Sequence, residues 1–503
     1  APVVDINTNP KNPIIGVRSF GEQKEVVSSH SLALMEGMQS SGIMANAKHF
    51  PGHGDTDSDS HKTLPTISFT KERIDSLELF PYKSLFSKGL SSVMVAHLNV
   101  PSLDDRSNHP SSLSYPIVTE LLQKKLGFKG LIFTDALDMK GVSNFSNPGK
   151  VDLQAFLAGN DVILMSLNVD QGIRTLEKAV KSGDISRERL AHSVKKILSA
   201  KYKVGLDNYK PVDTNNLIPE LNRQEDNVLY QNLMENAITL VKNKNNILPL
   251  KNLDLCKIAY VNMGSADASP FVKSLKKYTR VDEVSANNLD ALVFKLKQYN
   301  TVIIGLHTSN ASPWKSYRFS KKELVWLNEI ARNNTVILSA FTKPYALNEI
   351  TSFSNIESVV MAYQNSNIAQ ETAAQIIFGG LPAKGTLPVS IGSFFSAGHG
   401  VLTKGINRLS YGFPESVDMS SLSLSKIDSV ANYAINEKMT PGIQILVARK
   451  GKVVYEKNFG YHTYSNTNKV KFEDLYDVAS LTKILATLPL LIELVDKGVI
   501  KLE

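Results

Sequence analysis

The sequence predicts an α/β protein of more than one domain. Apolar, strand-like runs alternate with helical patterns, which is typical of parallel sheets joined by crossover helices. This alternation occurs over residues 1–205 and again over residues 224–415, and a connector rich in proline, asparagine and aspartate occupies residues 206–223. A further unit over residues 421–503 begins differently, with a β-hairpin pattern. A chain of 503 residues is long enough for two or three domains.

In the first region, strands and helices are predicted to alternate. The predicted strands are Val3–Ile6, Ile43–Ala47, Ser92–Ala96, Leu131–Thr134 and Asp161–Met165, and the predicted helices are Ser28–Gln39, Ile74–Ser87, Ile117–Leu126 and Gln171–Ser182. Polar residues stand at the ends of these strands, namely Asp5, Lys48-His49, His97, Asp135 and Ser166. This is the arrangement of a (β/α)₈ barrel, whose site lies at the carboxyl ends of its strands. Five strands are fewer than the eight of a closed barrel, so a smaller open sheet is the alternative.

The second region repeats the α/β pattern. It is predicted to contain one early helix and four apolar strands, at Asn227–Asn236 and at Ile258–Val261, Thr301–Gly305, Thr335–Ser339 and Ser358–Met361. His307, Trp314, Tyr317 and Arg318 follow one of these strands and are of types that contact sugars, although ordinary loop residues are the simpler interpretation.

The third unit opens with alternating apolar and polar residues over Gly442–Gly460, centred on Lys450 and Gly451, which predicts a β-hairpin. Ser480 and Lys483 follow at a predicted helix start. Positions three apart share a helix face, so the lysine amine can accept the serine proton. An S-x-x-K pair alone arises by chance in a chain of this length. The hairpin that precedes it makes a catalytic interpretation of the pair stronger.

The stretch from Lys48 to His61, K-H-F-P-G-H-G-D-T-D-S-D-S-H, is the strongest candidate for chemistry. A tight turn at Ser60 would bring Asp59 against His61, and a carboxylate on one ring nitrogen makes the other a better general base. An exposed loop that is merely polar is one alternative.

Metal binding is the other alternative for this loop. Asp55, Asp57 and Asp59 follow a D-x-D-x-D pattern, but the turn glycine and the bidentate glutamate of a calcium loop are absent. His49, His53 and His61 lack the helical H-E-x-x-H spacing of a zinc site.

Composition describes an ordinary globular protein, with 42% hydrophobic and 21% charged residues. The net charge of +8 is spread along the chain, so nucleic-acid binding is not indicated. Cys256 is the single cysteine, so the chain has no disulfide framework. No apolar run has the length of a membrane span, and no signal peptide is recognisable.

The Lys48–His61 string resembles the signature of the β-N-acetylglucosaminidase branch of glycoside hydrolase family 3. Three further segments are similar to that family: Asn12–Gly21, Leu131–Met139 and the G-G-L-P-A-K-G-T-L-P-V-S run at Gly379–Ser390. The resemblance covers about residues 1–415. It implies a (β/α)₈ barrel whose first strands lie upstream of Ala1, followed by an α/β sandwich domain that is not needed to complete the site.

The same resemblance implies the roles of the site residues. Asp135 would be the nucleophile of a retaining glycosidase, and His61, oriented by Asp59, would be the acid/base. The alternative for Asp135, from the residue alone, is a helix N-cap. The residues implied to hold substrate hydroxyls are Arg18, Lys48 and His49. No metal and no cofactor are implied.

The implied activity is exo-β-N-acetylglucosaminidase on peptidoglycan or chitin fragments. A phosphorylase of the same sugars and a non-catalytic sugar-binding protein remain alternatives. The implied partner is a GlcNAc-containing oligosaccharide. A periplasmic, cell-envelope or secreted location is expected, with a cytoplasmic one as the alternative.

Residues 421–503 resemble the start of the serine β-lactamase and penicillin-binding-protein-like hydrolases, with Ser480 and Lys483 as the catalytic pair. This resemblance implies a serine acyl hydrolase or transpeptidase-like activity. Because the later motifs of that family are not in the chain, we expect the unit to be an inactive fragment with an uncovered apolar face at Leu491–Val495.

Overall fold

A computed structural model describes residues 2–60, 62–312 and 316–502. The chain divides into two compact units, one formed by residues 1–221 and 232–406 and the other by residues 222–231 and 407–503. The first unit contains two α/β sheets and the second contains a small sheet of its own. The predicted α/β organisation with several domains is therefore confirmed.

The first sheet is a three-stranded parallel sheet, in the order β1 (Asn46–Phe50), β2 (Ser92–Val95) and β3 (Leu131–Thr134). A single parallel bridge joins Val3 to Lys48 at one side, and another joins Phe133 to Val162 at the other. The five predicted strand segments therefore lie side by side in chain order. The first and last of them form one bridge each instead of a full strand.

The position of β1 corrects the predicted strand at Ile43–Ala47. The N–H of Ile43 donates to the carbonyl of Met38, so Ile43 belongs to the turn that closes helix α1 (Lys24–Ser40). Its side chain is 56% exposed. The strand starts three residues later, and Lys48 and His49 lie on it instead of after it.

The helices around this sheet follow the predicted alternation, with one interruption. The region predicted as one helix at Ile74–Ser87 forms α2 (Lys71–Ser76) and α3 (Phe80–Ser87). Proline lacks an N–H and clashes with a preceding helical turn, so Pro81 is accommodated in the first turn of a new helix. The remaining helices are α4 (Lys140–Ser143), α5 (Lys150–Ala158), α6 (Val169–Ser182) and α7 (Arg187–Lys203), with a π-helix at Pro116–Lys125 and 3₁₀ turns at Gly16–Arg18, Ser111–Leu113 and Leu206–Asn208.

Buried apolar side chains of the first sheet pack against those of α1, α3 and the π-helix in one cluster. Val93 and Val95 of β2 are 0% exposed, and Phe50 meets Tyr82 edge to face with ring centroids 5.2 Å apart. Burying side chains of this size contributes about 1.5–3 kcal/mol each. This packing fixes the carboxyl ends of β1 to β3, where the polar site residues lie.

The second sheet has six strands in the order β4-β9-β8-β7-β5-β6. Its strands are β4 (Thr239–Asn243), β5 (Ile258–Gly264), β6 (Val281–Glu283), β7 (Thr301–His307), β8 (Val336–Phe341) and β9 (Ser358–Met361). β4 pairs antiparallel with β9, and the other pairs are parallel. The four strands predicted here are present, and three of them extend further at the carboxyl end than the pattern indicates.

The helices near this sheet cover both of its faces. They are α10 (Ser269–Lys276), α11 (Leu289–Leu296), α12 (Lys321–Asn333) and α13 (Asn367–Phe378), with 3₁₀ turns at Lys244–Asn246, Leu253–Leu255 and Pro344–Glu349; α8 (Leu217–Leu221) and α9 (Gln224–Ala237) precede the sheet in the chain. α10 packs against α13, and α11 packs against α12. Coverage on both faces explains why β7 and β8 are buried throughout and read as continuous apolar runs.

The second unit contains the predicted hairpin, β11 (Gly442–Arg449) and β12 (Lys452–Gly460), with β10 (Ser410–Tyr411) parallel to β12. Lys450 and Gly451 form its turn with positive φ angles of 51° and 75°. The helices are α14 (Ser421–Leu424), α15 (Lys426–Asn436) and α16 (Leu488–Asp496), with 3₁₀ turns at Pro414–Val417 and Ala479–Leu481 and a π-turn at Lys483–Thr487. Leu491 and Ile492 of α16 are 44% and 59% exposed, as expected of an uncovered apolar face.

Candidate active site

A buried carboxylate, Asp5, organises the loop that follows β1. Its oxygens accept hydrogen bonds from the backbone N–H of His49 at 3.2 Å and of His53 at 2.7 Å, and Oδ2 lies 2.7 Å from Nδ1 of His49. Burial alone would raise the pKa of Asp5, but its interactions with His49 and His53 outweigh burial and lower it. Asp5 is therefore an anion that holds the His49 tautomer with Nδ1 protonated.

The sequence indicated Asp5 only as a polar strand end and assigned it no role. Its partners lie 44 and 48 residues away in the chain. Local patterns do not reveal such a pairing.

His49 in turn faces a cation. Its Nε2 lies 3.5 Å from Nη2 of Arg18, which is exposed at the end of the 3₁₀ turn Gly16–Arg18. Lys48, the neighbouring residue on β1, is half-buried. Of the three residues predicted to hold substrate, Arg18 and His49 are thus brought together, and Lys48 lies next to them in the chain.

His53 is buried in the same loop. Its Nδ1 lies 2.6 Å from the Thr56 hydroxyl and its Nε2 lies 3.2 Å from the Ser60 hydroxyl. Burial is the main reason why the pKa of His53 falls to about 4, so the ring is neutral at pH 7. The side-chain amide of Asn12 donates to the His53 carbonyl at 2.8 Å. His53 therefore acts as a support that joins both ends of the loop.

The loop glycines are required by close packing. A Cβ on Gly54 would lie 1.8 Å from the carbonyl oxygen of Ile6. A Cβ on Gly52 would lie 2.8 Å from the Glu78 side chain, and Gly52 has a positive φ of 141°. The P-G-H-G segment thus allows the loop to pass directly over the first strand segment.

The predicted turn at Ser60 is present. The N–H groups of Lys62 and Thr63 donate to the Asp59 carbonyl at 2.9 and 3.0 Å, which reverses the chain at this point. The Asp59 side chain is half-buried. His61 lies outside the described residues, so the pairing of Asp59 with His61 stays a prediction.

Asp135 is the first residue after β3. Its N–H donates to the Val95 carbonyl at 2.8 Å, and its Oδ1 accepts from the N–H of Ala136 at 2.9 Å. Burial lowers the pKa of His53 and of His97. The negative charge of Asp135 raises the pKa of both rings and so partly offsets the effect of burial. Asp135 therefore lies near both histidines. The next helix starts at Lys140 with Met139 at its cap position, so the N-cap alternative for Asp135 is wrong.

His97, which follows β2, supports the segment after Asp135. Its Nε2 lies 2.9 Å from the Ala136 carbonyl, and its Nδ1 lies 2.7 Å from the Ser112 hydroxyl. A carbonyl oxygen only accepts, so Nε2 carries the proton. The sequence indicated His97 as a polar strand end but gave it no function, because its partners are 15 and 39 residues distant.

The C-terminal pair differs from the prediction. Ser480 lies in the 3₁₀ turn Ala479–Leu481, Lys483 starts a π-turn, and the α-helix begins only at Leu488. Both side chains are exposed, and the hydrogen bonds found among the described residues include none between them. The helix type at the pair therefore differs from the expected α-helix, and the placement of the lysine amine beside the serine hydroxyl stays a prediction.

Metal binding finds no support in residues 2–60, 62–312 and 316–502, where no group of three or more His, Cys, Asp or Glu side chains could hold an ion. Within the same residues, no helix is both long enough and apolar enough to cross a membrane.

Comparison with known families gives two matches. Residues 1–200 match the glycosyl hydrolase family 3 N terminal domain, and residues 431–503 match the Beta-lactamase family. These matches confirm both resemblances predicted from the sequence.

Relatives of known name and structure align with most of the chain. Beta-hexosaminidase A of Pseudoalteromonas piscicida is 27% identical over 450 residues, which cover 78% of this chain and 73% of that protein. A Beta-N-acetylglucosaminidase/beta-glucosidase of Cellulomonas fimi is 24% identical, covering 77% and 73%. The solved structure of a glycoside hydrolase family 3 beta-N-acetylglucosaminidase from Paenibacillus sp. str. FPU-7 superposes with a TM-score of 0.63 at 28% identity, covering 78% of this chain and 76% of that one.

Proposed function

We propose, starting from the membership of residues 1–200 in glycosyl hydrolase family 3, that this glycoside hydrolase is a retaining exo-β-N-acetylglucosaminidase. The observation that carries the proposal is the meeting of two loops at the carboxyl edge of one parallel sheet. Asp135 follows β3, and the loop that carries Asp59 and His61 follows β1. Catalytic groups of parallel α/β barrels collect at this edge.

The first half of the proposed reaction uses Asp135 as nucleophile. Oδ1 is held by the Ala136 N–H, which leaves Oδ2 to attack the anomeric carbon. As this bond forms, the bond from the anomeric carbon to the leaving oxygen breaks, and His61 gives that oxygen its proton. The products are a glycosyl ester of Asp135, the shortened saccharide and a neutral His61.

The second half returns the enzyme to its starting state. Neutral His61 takes a proton from water as the water oxygen bonds to the anomeric carbon and the Asp135 ester bond breaks. Asp59 orients the imidazole and stabilises its protonated form. Two displacements at one carbon retain the configuration of the sugar.

The chain Asp5–His49–Arg18 serves to hold the sugar. Asp5 fixes the proton of His49 on Nδ1, so Nε2 and the Arg18 guanidinium present an acceptor and a set of donors to hydroxyl groups. Lys48 adds a further donor from the same strand.

The finer architecture is part of the proposal. Five parallel segments in chain order are consistent with an arc of a (β/α)₈ barrel over residues 1–205. Residues 206–223 would be the linker, residues 224–415 the sandwich domain and residues 421–503 the start of a serine β-lactamase-like domain. Peptidoglycan or chitin fragments are the proposed substrates, and an envelope or secreted location would bring the enzyme to them.

The proposal is tested with the 4-nitrophenyl β-glycoside of GlcNAc and with a 5-fluoro GlcNAc probe that traps the ester. We expect release of 4-nitrophenol, labelling of Asp135, and loss of at least about a thousandfold in kcat for Asp135→Ala. Asp138→Ala is the matched control, since Asp138 is exposed three residues further on. Labelling at Asp138 would overturn the assignment. Added phosphate that converts the product to a sugar 1-phosphate would identify a phosphorylase instead.

A further inference from the structure

The six-stranded sheet has a point at which its strand order reverses. From β5 the chain moves to β6 on one side, then crosses back to β7 on the other side and continues outward to β8 and β9. Right-handed crossovers in opposite directions put α10 and α12 on opposite faces of the sheet. In open α/β sheets, the crevice outside the carboxyl strand ends at such a point is the usual ligand site.

A cavity of about 740 Å³ lies at this point. Its lining comes from the loops that follow β5, β7 and β9, and every lining residue except Ala266 carries a hydroxyl, amide or carboxylate group. The lining residues are Ser265, Ala266, Asp267, Ser309, Asn310, Ser316, Gln364, Asn365 and Ser366. We call it the switch-point crevice.

The switch-point crevice is built on a buried histidine. His307, 0% exposed at the end of β7, has Nδ1 at 2.6 Å from Oδ1 of Asn365 and Nε2 at 2.9 Å from the Tyr260 hydroxyl. Burial lowers the pKa of His307 to about 4, so the neutral ring donates from Nδ1 to Asn365 and accepts from Tyr260. The hydrogen bond from buried His307 therefore fixes the position of the Asn365 side chain in the crevice.

Asn365 then joins the three loops. Its backbone N–H donates to Oδ1 of Asn310 at 2.6 Å, and its side-chain amide donates to the Asp267 carbonyl at 2.9 Å. Gln370 donates to the same carbonyl at 3.1 Å. The crevice walls are thus tied together before any ligand arrives, which reduces the entropy cost of binding.

The charge of the crevice selects a class of ligand. Hydrogen bonds from the Ser269 N–H and hydroxyl lower the pKa of Asp267, which stays a carboxylate at neutral pH. A carboxylate repels anions and accepts strongly from hydroxyl groups. Together with serine hydroxyls and side-chain amides, it suits a neutral polyhydroxyl ligand such as a saccharide.

The crevice also connects to the first region of the chain. Ser309, Asn310 and Gln364 line a second cavity of about 500 Å³ as well, and that cavity is bounded by Val17 and Ser19 on either side of Arg18 in the chain. Arg18 lies 3.5 Å from His49. The crevice therefore shares a wall with a cavity that is bordered by the chain neighbours of Arg18.

We propose that the switch-point crevice binds saccharide units of the substrate beyond the sugar that is cleaved off. This role rests on the proposed glycosidase function, because it extends that site toward the remainder of the oligosaccharide. It gives the second α/β sheet a part in choosing longer chains over short ones.

The test uses Ser265→Trp, which places a large ring in the crevice without removing a side-chain hydrogen bond found in the structure. The measured quantity is the ratio of KM for chitohexaose to KM for the 4-nitrophenyl GlcNAc glycoside. We expect this ratio to rise about tenfold, the effect of losing one or two hydrogen bonds. Thr351→Trp, at an exposed position before β9 and outside the crevice, should leave the ratio unchanged.

A second measurement keeps the two proposals separate. Calorimetry measures the affinity of the Asp135→Ala protein for chitohexaose, with and without Ser265→Trp, in the absence of catalysis. We expect Ser265→Trp to weaken this binding. An unchanged ratio together with unchanged binding would overturn the crevice proposal while aryl glycoside hydrolysis still supports the glycosidase. Absence of aryl glycoside hydrolysis in the wild type would instead overturn the glycosidase function.

Discussion

At the scale of single residues, the candidate site depends on buried groups that position exposed ones. Asp5 is 1% exposed, holds two backbone N–H groups and the His49 ring, and so determines how His49 faces Arg18. His97 similarly holds the peptide that follows Asp135. Neither of the two needs to touch the bond that is cleaved to affect catalysis.

Substitution Asp5→Asn tests this positioning role. An amide keeps the shape but offers one acceptor oxygen and no charge, so one N–H loses its partner. We expect a loss of about 1.5–3 kcal/mol in the free energy of unfolding at pH 7. KM for the aryl glycoside should rise, because His49 loses its fixed tautomer.

The pH dependence separates charge from shape at Asp5. Its pKa in the folded state is lowered, so its contribution is complete above the ordinary aspartate pKa and disappears as the pH falls through the folded value. The stability difference between wild type and Asp5→Asn, measured by urea unfolding, should therefore shrink below about pH 4. A difference that stays constant down to about pH 2 would contradict the role of the charge.

Single substitutions at His61 and Asp59 test the proposed proton transfer. His61→Ala should impair substrates with poor leaving groups far more than activated aryl glycosides, since only the former require protonation of the departing oxygen. Asp59→Asn should cause a smaller loss of the same kind, because it disturbs the imidazole without removing it. Equal losses for all leaving groups would argue against proton transfer by His61.

At the scale of elements, the loop after β1 depends on its glycines. The backbone passes so near the Ile6 carbonyl that Gly54 has no room for a side chain, and the loop then turns at Ser60 toward Gly141. A Cβ on Gly141 would lie 2.9 Å from the Ser60 carbonyl oxygen. The loop after β1 and the segment after β3 are thus in direct contact.

Gly54→Ala should therefore displace the loop. We expect a loss of about 1–3 kcal/mol in the free energy of unfolding, as for other overpacked positions, and a large loss of aryl glycoside hydrolysis. Gly37→Ala is the matched control, because Gly37 lies on α1, where a Cβ would meet nothing within 4 Å. There, alanine should stabilise the helix by about 0.5–1 kcal/mol. Equal effects of the two substitutions on activity would contradict the packing argument.

At the scale of the whole molecule, the buried histidines His53, His97 and His307 make the first unit sensitive to acid, because burial lowers the pKa of each. Burial lowers the pKa values of His53 and His307 to about 4. Between about pH 6.5 and 4 the unfolded chain binds protons that the folded chain does not, so stability falls as the pH falls. Each histidine contributes up to about 1.4 kcal/mol per pH unit in this window.

This prediction is checked by urea unfolding of the chain at pH 7 and pH 5. His307→Gln should reduce the difference in the free energy of unfolding between the two pH values, since glutamine does not titrate. His30→Gln, at an exposed position, should leave the difference unchanged. A wild-type stability that is the same at both pH values would show that these rings are not held neutral.

The sequence by itself determined the features that depend on local order. The alternation of apolar runs predicted the five segments of the first sheet and four of the six strands of the second, though not β4 and β6. Gly442–Gly460 predicted the hairpin, and the Lys48–His61 string predicted the family. Errors occurred where one turn decides an element: Ile43 closes a helix, Pro81 starts one, and the turns at Ser480 and Lys483 are not α-helical. Those outcomes depend on competing local hydrogen bonds that residue types alone do not rank.

Only the tertiary structure decided what the buried polar groups do. Asp5 meets His49 and His53, His97 meets Ala136, and His307 meets Asn365, over separations of 39 to 58 residues. A polar residue at a strand end is visible in the sequence, but its partner is chosen by which strands become neighbours in a parallel sheet. For the same reason, the switch-point crevice exists only once β7 has crossed to the far side of β5.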